Sequence, residues 1–412
     1  MAKNNCNDRK NKIRIGIVGY GKLGKACEKI ALCDEDIELV GIFSRRNGIV
    51  SPFGTKIYNQ SDLFEQSRQD NVCKEENKFD GELDVAVLCV GSQGDLEETA
   101  AKIAKRFNTV DCFDNHARMS IHMDRMSKIA REYGRLCYVG TGWDPGIFSL
   151  LRACFACALK NSKIFTFWGK GVSQGHSEAI RKIDGVLMAK QYTIPKENAM
   201  RIARATGEEL SERDKHLREC FVAAKGGADK ENAMRLARAA EEELSERDKH
   251  LRECFVVAKE GLDKENAMRI ARATGEELSE RDKHLRECFV VAKEGADKEK
   301  IENEIKNMPN YFAGYDTIVH FVDEKYFNEH CKGMEHGGVV IAKGSFEGYD
   351  SSCEASLKMQ DNPIFTAGIM IAYAKANARA YKRGDRGVKS VLDIAMSDLL
   401  DGEWIDKIKR FV

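Results

Sequence analysis

The sequence predicts an α/β fold: a doubly wound parallel sheet, then an α+β domain that carries a tandem-repeat insertion. Three observations predict it. Apolar strands alternate with helical patterns in the N-terminal third, a glycine-rich turn joins the first strand to the first helix, and a 34-residue segment occurs three times between positions 195 and 296.

The first βα unit is "KIRIGIVGYGKLGKACEKIA", where alternating apolar residues give way to helical periodicity. Gly19, Gly21 and Gly24 fit G-x-G-x-x-G, with Tyr20, Lys22 and Leu23 between them. The first glycine allows the tight turn, the second lets a pyrophosphate approach the backbone, and the third lets helix and strand pack closely. Free amides at the helix start then face the phosphates. This places a dinucleotide in a Rossmann-type sheet.

The next strand, "IELVGIFSRR", ends about 20 residues further on, where an NAD enzyme carries a carboxylate for the ribose 2′-hydroxyl. Here stand Ser44, Arg45 and Arg46. Two guanidiniums and a hydroxyl suit a 2′-phosphate, so NADP is favoured over NAD. A solvated basic turn is the plainer alternative. Strands follow at "DVAVLCVGS", "NTVDCFDN" and "RLCYVGTG", with the helical "DLEETAAKIAKRF" between the first two.

Ligands of such sheets lie beyond the carboxyl ends of the strands. That singles out Asp114 in "DNH" and Asp144 in "GWDPG", two carboxylates directed at one crevice that can hold a substrate ammonium or accept a proton from water. The plainer reading makes Asp114 a turn or cap residue and Asp144, before Pro145, part of a loop. Further on, "TFWGKGVSQGHSE" places Trp168, Gln174, Gly175 and His176 in a glycine-rich loop whose amides could approach a carboxylate. A lone histidine there is more often a capping residue than a catalyst.

The totals narrow the partners. A chain of 412 residues holds two or three domains, and 66 basic against 66 acidic side chains leave no electrostatic footprint for nucleic acid or anionic membrane. No apolar run reaches the roughly 20 residues that span a bilayer, and the polar start "MAKNNCNDRKNK" has no apolar signal region behind it. The expectation is a cytoplasmic protein. The 14 cysteines are scattered, several of them inside apolar strands as small hydrophobes. Cys154 and Cys157 have C-x-x-C spacing, but no second pair follows at zinc-ribbon distance, so a buried helix face is expected and no metal.

Taken in order, "VGYGKLG", "FSRR", "DNH", "GTGWDPGIFS", "FWGKGVSQGHS", "QYTIP", "HLRECFVV", "MPNYFAGYDTIVHF", "EHGG" and "DNPIFTA" resemble the meso-diaminopimelate dehydrogenases over nearly the whole chain. The resemblance implies an NADP-dependent amino acid dehydrogenase of lysine biosynthesis, a homodimer, that oxidatively deaminates the D-centre of its substrate. It places the catalytic carboxylates on Asp114 and Asp144. Trp143 and Trp168 join them at the D-centre, with Gln174 and Gly175 in the adjacent loop. The distal L-centre falls to Thr193, the arginine of "HLREC", His336 and Asn362. Two departures stand out: Glu335 replaces the family's usual proline before His336, which would loosen that loop, and a longer polar segment near 60–80 reads as a surface excursion. A related D-amino acid dehydrogenase, or a catalytically dead homologue whose repeats form a binding scaffold, are the alternatives.

The copies are Pro195–Ala228, Asp229–Leu262 and Asp263–Ala296; the first differs from the third at three positions and the second at four. A period of 34 matches tetratricopeptide repeats, yet the Trp, Gly and Tyr positions of that signature are missing. Near-identity at exposed and apolar positions alike is what a recent tandem duplication leaves, whereas an evolved solenoid differentiates its caps. One copy is needed, with "KENAMRIARAT" as helix ended by Gly207 or Gly275 and "HLRECFVVA" as strand. The other two are expected as extruded helices, Glu241 replacing glycine in copy two. Copy three leads into the family-like continuation, so Arg286 is favoured over Arg218, with Arg252 third. The domains read as 1–142 for the dinucleotide, with 363–412 returning to it, and 143–362 for substrate and dimerisation.

Overall fold

A computed structural model describes residues 12–64, 79, 81–91, 95–204, 278–309, 311–331 and 333–412. The chain divides into two compact units, one of Met1–Cys154 with Met359–Val412 and one of Phe155–Lys358.

The first unit is built on a seven-stranded sheet ordered β14-β6-β5-β4-β1-β2-β3. Its strands are β1 (Ile13–Val18), β2 (Ile37–Ser44), β3 (Ile57–Asn59), β4 (Val85–Leu88), β5 (Asn108–Asp111), β6 (Leu136–Tyr138) and β14 (Gly387–Lys389). All neighbours pair in parallel. Side chains alternate between faces with period two. Ile15, Ile17, Val85 and Val87 therefore join one core, with helix α1 (Lys22–Leu32) and the long helix Asn362–Lys382. Val18, Ala86 and Leu88 join the other, with α2 (Asp95–Ile103) and α3 (Met119–Glu132). Both faces are thus covered, as a parallel sheet requires. Strand order reverses between β1 and β4, which creates the ligand-binding switch point of a doubly wound sheet.

Three expectations change here. The first unit runs to Cys154 rather than 142 and resumes at Met359 rather than 363, because helix α4 (Ile147–Ala158) anchors Phe148 and packs Leu150 against the first core. Cys154 and Cys157 lie exposed on α4, whose one buried residue is Phe148. At about 100° per residue, Cys157 falls on the opposite side of the helix from that anchor. The flanks of the polar segment near 60–80 are core and not excursion: Leu63 and Phe79 are buried. Residues 65–78 lie outside the described residues.

The second unit holds two sheets, β11-β10-β9-β8 and β13-β12-β7. The first contains β8 (Gly171–Ser173), β9 (Val186–Pro195), β10 (His284–Ala292) and β11 (Asp316–Phe321); the second β7 (Lys163–Trp168), β12 (His336–Phe346) and β13 (Tyr349–Met359). Strand β10 runs antiparallel to β9 and parallel to β11, so it is central.

The repeats enter this unit at two points. Copy one supplies helix α6 (Glu197–Arg204), and copy three supplies the short helix Glu280–Lys283 and β10. The two ends meet. Lys196 N donates to Lys283 O at 2.9 Å, and Leu278 packs with Ala199 and Ala203. Arg218, Arg252, Gly207, Gly275 and the expected extruded helices lie outside the described residues.

Candidate functional site

The first unit carries a nucleotide-shaped turn at its switch point. Gly19 has φ of +93°, a conformation that favours glycine. A Cβ on Gly24 would come 2.1 Å from Gly19 O, so that glycine lets α1 close on the turn, whereas a Cβ on Gly21 would meet nothing within 4 Å. Open space above Gly21, at the start of α1, is what a pyrophosphate needs. A cavity beside it is lined by Gly19, Tyr20, Gly21, Ser44, Arg45 and Arg46, so the fingerprint and the basic turn share one pocket. Lys22 and Leu23 open α1.

Both arginines are exposed, yet each has hydrogen-bond partners. Arg46 Nη2 donates to Tyr20 O at 2.5 Å and its backbone N to Ser44 Oγ at 3.1 Å. Arg45 makes two bonds to Asp95, at 2.7 and 3.2 Å. Below the turn the Sγ atoms of Cys27 and Cys89 lie 3.5 Å apart, and the contact with Cys27 together with burial pushes the Cys89 thiol up.

Asp114 is exposed after β5. Asp144 differs, because its fully buried side chain is held by Arg152 of α4 through bonds of 2.6 and 3.2 Å. Trp143 packs edge-on against Phe148, ring centroids 5.3 Å apart. Asn362 opens the long helix and accepts from Thr366 Oγ1 at 2.9 Å.

A residue missed in the sequence organises both carboxylate-bearing turns. Asp111 Oδ1 accepts from Phe113 N at 3.0 Å and from Gly140 N at 3.1 Å, while Asp111 O accepts from Thr141 N and Oγ1, both at 2.8 Å. His122 Nε2 meets Asp111 Oδ2 at 3.1 Å. An Asp at a strand end reads as a turn residue in sequence; no local signal marks it as a hub.

In the second unit the structure brings four expected residues together. Arg286 on β10 faces Thr193 on β9 in the antiparallel register, and its Nη1 donates to Thr193 Oγ1. Its guanidinium stacks 4.2 Å above the Tyr315 ring. Gly171 pairs with Thr193, and a Cβ on Gly171 would come 2.4 Å from the His336 ring. Trp168 pairs with Gly338, two residues beyond His336. Trp168 N also donates to His284 Nε2 at 2.8 Å, with the two rings stacked 5.2 Å apart. This histidine, one of which stands in each copy of the repeat, carries no signal in the sequence.

The expected glycine-rich loop at 174–176 is helical instead. Ser173 caps helix α5 (Gln174–Arg181), so Gln174 and Gly175 are exposed first-turn residues with the free amides of a helix start. His176 shares a 2.7 Å contact with Ser173 Oγ and packs against the rings of Tyr311 and Phe312. Burial, then the positive charge of Arg286, pushes His176 down to about 3. His336 is also lowered, first by burial. Nor is the segment before His336 loose: Glu335 O accepts from Val172 N at 3.0 Å, and Lys190 Nζ donates to Cys331 O and Gly333 O.

A doubly wound sheet with a dinucleotide-type glycine turn, followed by a mixed-sheet unit with a buried arginine, defines the class, a nicotinamide-nucleotide oxidoreductase of two domains. Residues 142–235 and 264–361 match the model of the diaminopimelic acid dehydrogenase C-terminal domain. The meso-diaminopimelate D-dehydrogenase of Ureibacillus thermosphaericus is 38% identical over 388 residues, covering 93% of this chain and 94% of that protein. That of Corynebacterium glutamicum is 35% identical over 398 residues, 96% and 98% of the two chains. The solved structure of the C. glutamicum enzyme in complex with DAP aligns over 98% of this chain and 100% of its own, with TM-score 0.73 and 34% identity. An engineered D-amino acid dehydrogenase bound to NADP+ aligns over 97% of this chain and 100% of its own, with TM-score 0.72 and 33% identity. The chain belongs to the meso-diaminopimelate D-dehydrogenase family.

Proposed function

We propose that the chain catalyses the reversible NADP-dependent oxidative deamination of meso-2,6-diaminopimelate at its D-centre, giving L-2-amino-6-oxopimelate and ammonia. The observation that carries this reading is Arg286, a guanidinium buried between Thr193 and Tyr315 with imidazoles nearby that stay neutral at neutral pH. One fixed cation among neutral donors suits a single carboxylate, and holding the distal L-centre selects which end of the substrate reacts. Thr193, His336 and Asn362 serve that end. Trp143 and Trp168, with Gln174 and Gly175, shape the D-centre.

When bound, NADP supplies the hydride acceptor. Gly19, Gly21 and Gly24 let its pyrophosphate approach, and Ser44, Arg45 and Arg46 take the 2′-phosphate. Asp144, fixed by Arg152, stabilises the positive charge that develops as the D-centre amine becomes an iminium. Exposed Asp114 takes the proton from the water that attacks this carbon, and ammonia then leaves.

The family resemblance and the balanced charge support the wider setting, a homodimer in the cytoplasm acting in lysine biosynthesis on small molecules, without nucleic acid or membrane. The three near-identical copies support a tandem triplication of one working segment. The second unit, Phe155–Lys358, serves as the substrate and dimerisation domain, and the first holds the cofactor. The test is NADP reduction with the meso, LL and DD isomers of diaminopimelate and with D-alanine. Turnover is expected with the meso isomer alone; equal rates on D-alanine would make this a general D-amino acid dehydrogenase, and equal kcat/KM with NAD would remove the cofactor assignment.

A further inference from the structure

Glu28 of α1 is a fully buried carboxylate that has no cation partner among the described residues. Burying such a charge is costly unless hydrogen bonds replace its water. Two hydroxyls do so here. Tyr20 OH donates to Glu28 Oε2 at 2.5 Å, and Ser51 Oγ donates to Oε1. Both donors are themselves buried.

The donors come from the two segments that line the nucleotide pocket, the glycine turn and the loop after β2, although Ser51 itself is not among the lining residues. Tyr20 sits inside the glycine turn, and its carbonyl holds the Arg46 guanidinium. Ser51 lies within the loop between β2 and β3 that carries Arg45 and Arg46, and its Oγ also accepts from Phe53 N at 3.0 Å. Burial and the bond to Glu28 raise the Tyr20 hydroxyl above its ordinary range, so it stays a proton donor at working pH. The carboxylate does not line the pocket. Its bonds nevertheless tie the pocket's two halves.

We propose that Glu28 is a positioning residue for the cofactor: by clamping Tyr20 and Ser51 it fixes the glycine turn against the loop of Arg45 and Arg46, and so sets the preference for a 2′-phosphate. The inference rests on the NADP reading above. Without the clamp, Arg46 loses a fixed anchor and must be ordered when the phosphate binds, a cost NADH does not meet.

The test is binding of NADPH and of NADH by titration of nicotinamide fluorescence, with thermal melts of each variant. Glu28→Ala should weaken NADPH by roughly tenfold, about 1.4 kcal/mol, and NADH by much less. Glu28→Gln can accept one hydroxyl and donate to the other, so it should stay within a few-fold of the parent. In an Arg46→Ala background, Glu28→Ala should add little to the NADPH loss. Ser51→Ala, which severs one tie, is the milder probe if Glu28→Ala does not fold, and should lower the NADPH-to-NADH preference in the same direction. A folded Glu28→Ala or Ser51→Ala protein with an unchanged preference overturns the clamp. A parent that binds both nucleotides equally overturns the NADP reading instead, which Arg46→Ala reports independently.

Discussion

His122 Nε2 and Asp111 Oδ2 face each other at 3.1 Å with both side chains fully buried. Since an ionised carboxylate only accepts, the imidazole presents its Nε2 proton to Asp111. The same carboxylate holds Phe113 N and Gly140 N, one on each side of the turns that lead to Asp114 and Asp144. An amide at 111 would set its own N–H groups against one of these donors. Asp111→Asn should therefore cost ~1–3 kcal/mol of stability and lower kcat more than it raises the KM for NADP. His122→Gln, which keeps an N–H donor, should recover part of the loss. An equal fall in both variants, or a change in cofactor KM alone, would show that the pair does not organise the carboxylate turns.

Arg286 gives the second prediction. Its guanidinium lies on the central strand of its sheet, fixed by Thr193 and Tyr315. Arg286→Ala should cost on the order of 2–5 kcal/mol in kcat/KM for diaminopimelate, because the distal carboxylate loses a desolvated partner. Arg218→Ala and Arg252→Ala, in the other copies, should stay within a few-fold of the parent. Mild losses in all three single variants, with collapse only in the triple variant, would mean that the identical strands exchange in one slot.

The histidines near Arg286 predict a pH dependence. His176 is held neutral in the fold down to about 3, whereas in the unfolded chain it protonates near 6.5. Between those values the unfolded state binds the extra proton, so this contribution to stability is complete above pH 6.5 and is lost as pH falls toward 3. His336 moves in the same direction. On lowering the pH from 7 to 5, the parent's Tm should fall by about 2 °C or more beyond that of His176→Gln. Parallel Tm curves for the two proteins would exclude the effect.

The nucleotide unit was legible because its physics is local. Period-two strands, a glycine turn before an amphipathic helix and Ser44-Arg45-Arg46 at the next strand end each need only neighbouring residues to be recognised. The short strand β14 carried too little pattern to be placed. Glu28, Asp111 and His284 were not legible, since a buried polar hub and a surface polar residue look alike until distant donors are seen around them. Gln174 and Gly175 read as loop because Gly169 and Gly171 precede them, yet the Ser173 cap starts a helix there. Cys154 and Cys157 misled in the opposite way: an apolar composition says that a helix wants cover, not which face receives it.

The seam between copies one and three marks where surplus sequence can be removed. Arg204 is the last described residue of helix α6 in copy one, and Leu278 of copy three packs with Ala203. Arg204 and Arg272 occupy the same position in their copies, so deleting residues 205–272 fuses Arg204 to Ala273 and restores one continuous 34-residue segment. Six residue steps then separate Arg204 from Leu278, as they separate Arg204 from Leu210 in the parent. An extended chain of that length reaches about 20 Å, ample for two residues whose neighbours share a hydrophobic cluster. Every described residue is retained, including Arg286, Thr193 and the contact between Lys196 and Lys283. The shortened protein should fold, keep kcat/KM for diaminopimelate within a few-fold and melt no lower than the parent. Aggregation or a Tm lower by 10 °C would mean that the removed copies support the second unit, and that the triplication has become part of its structure.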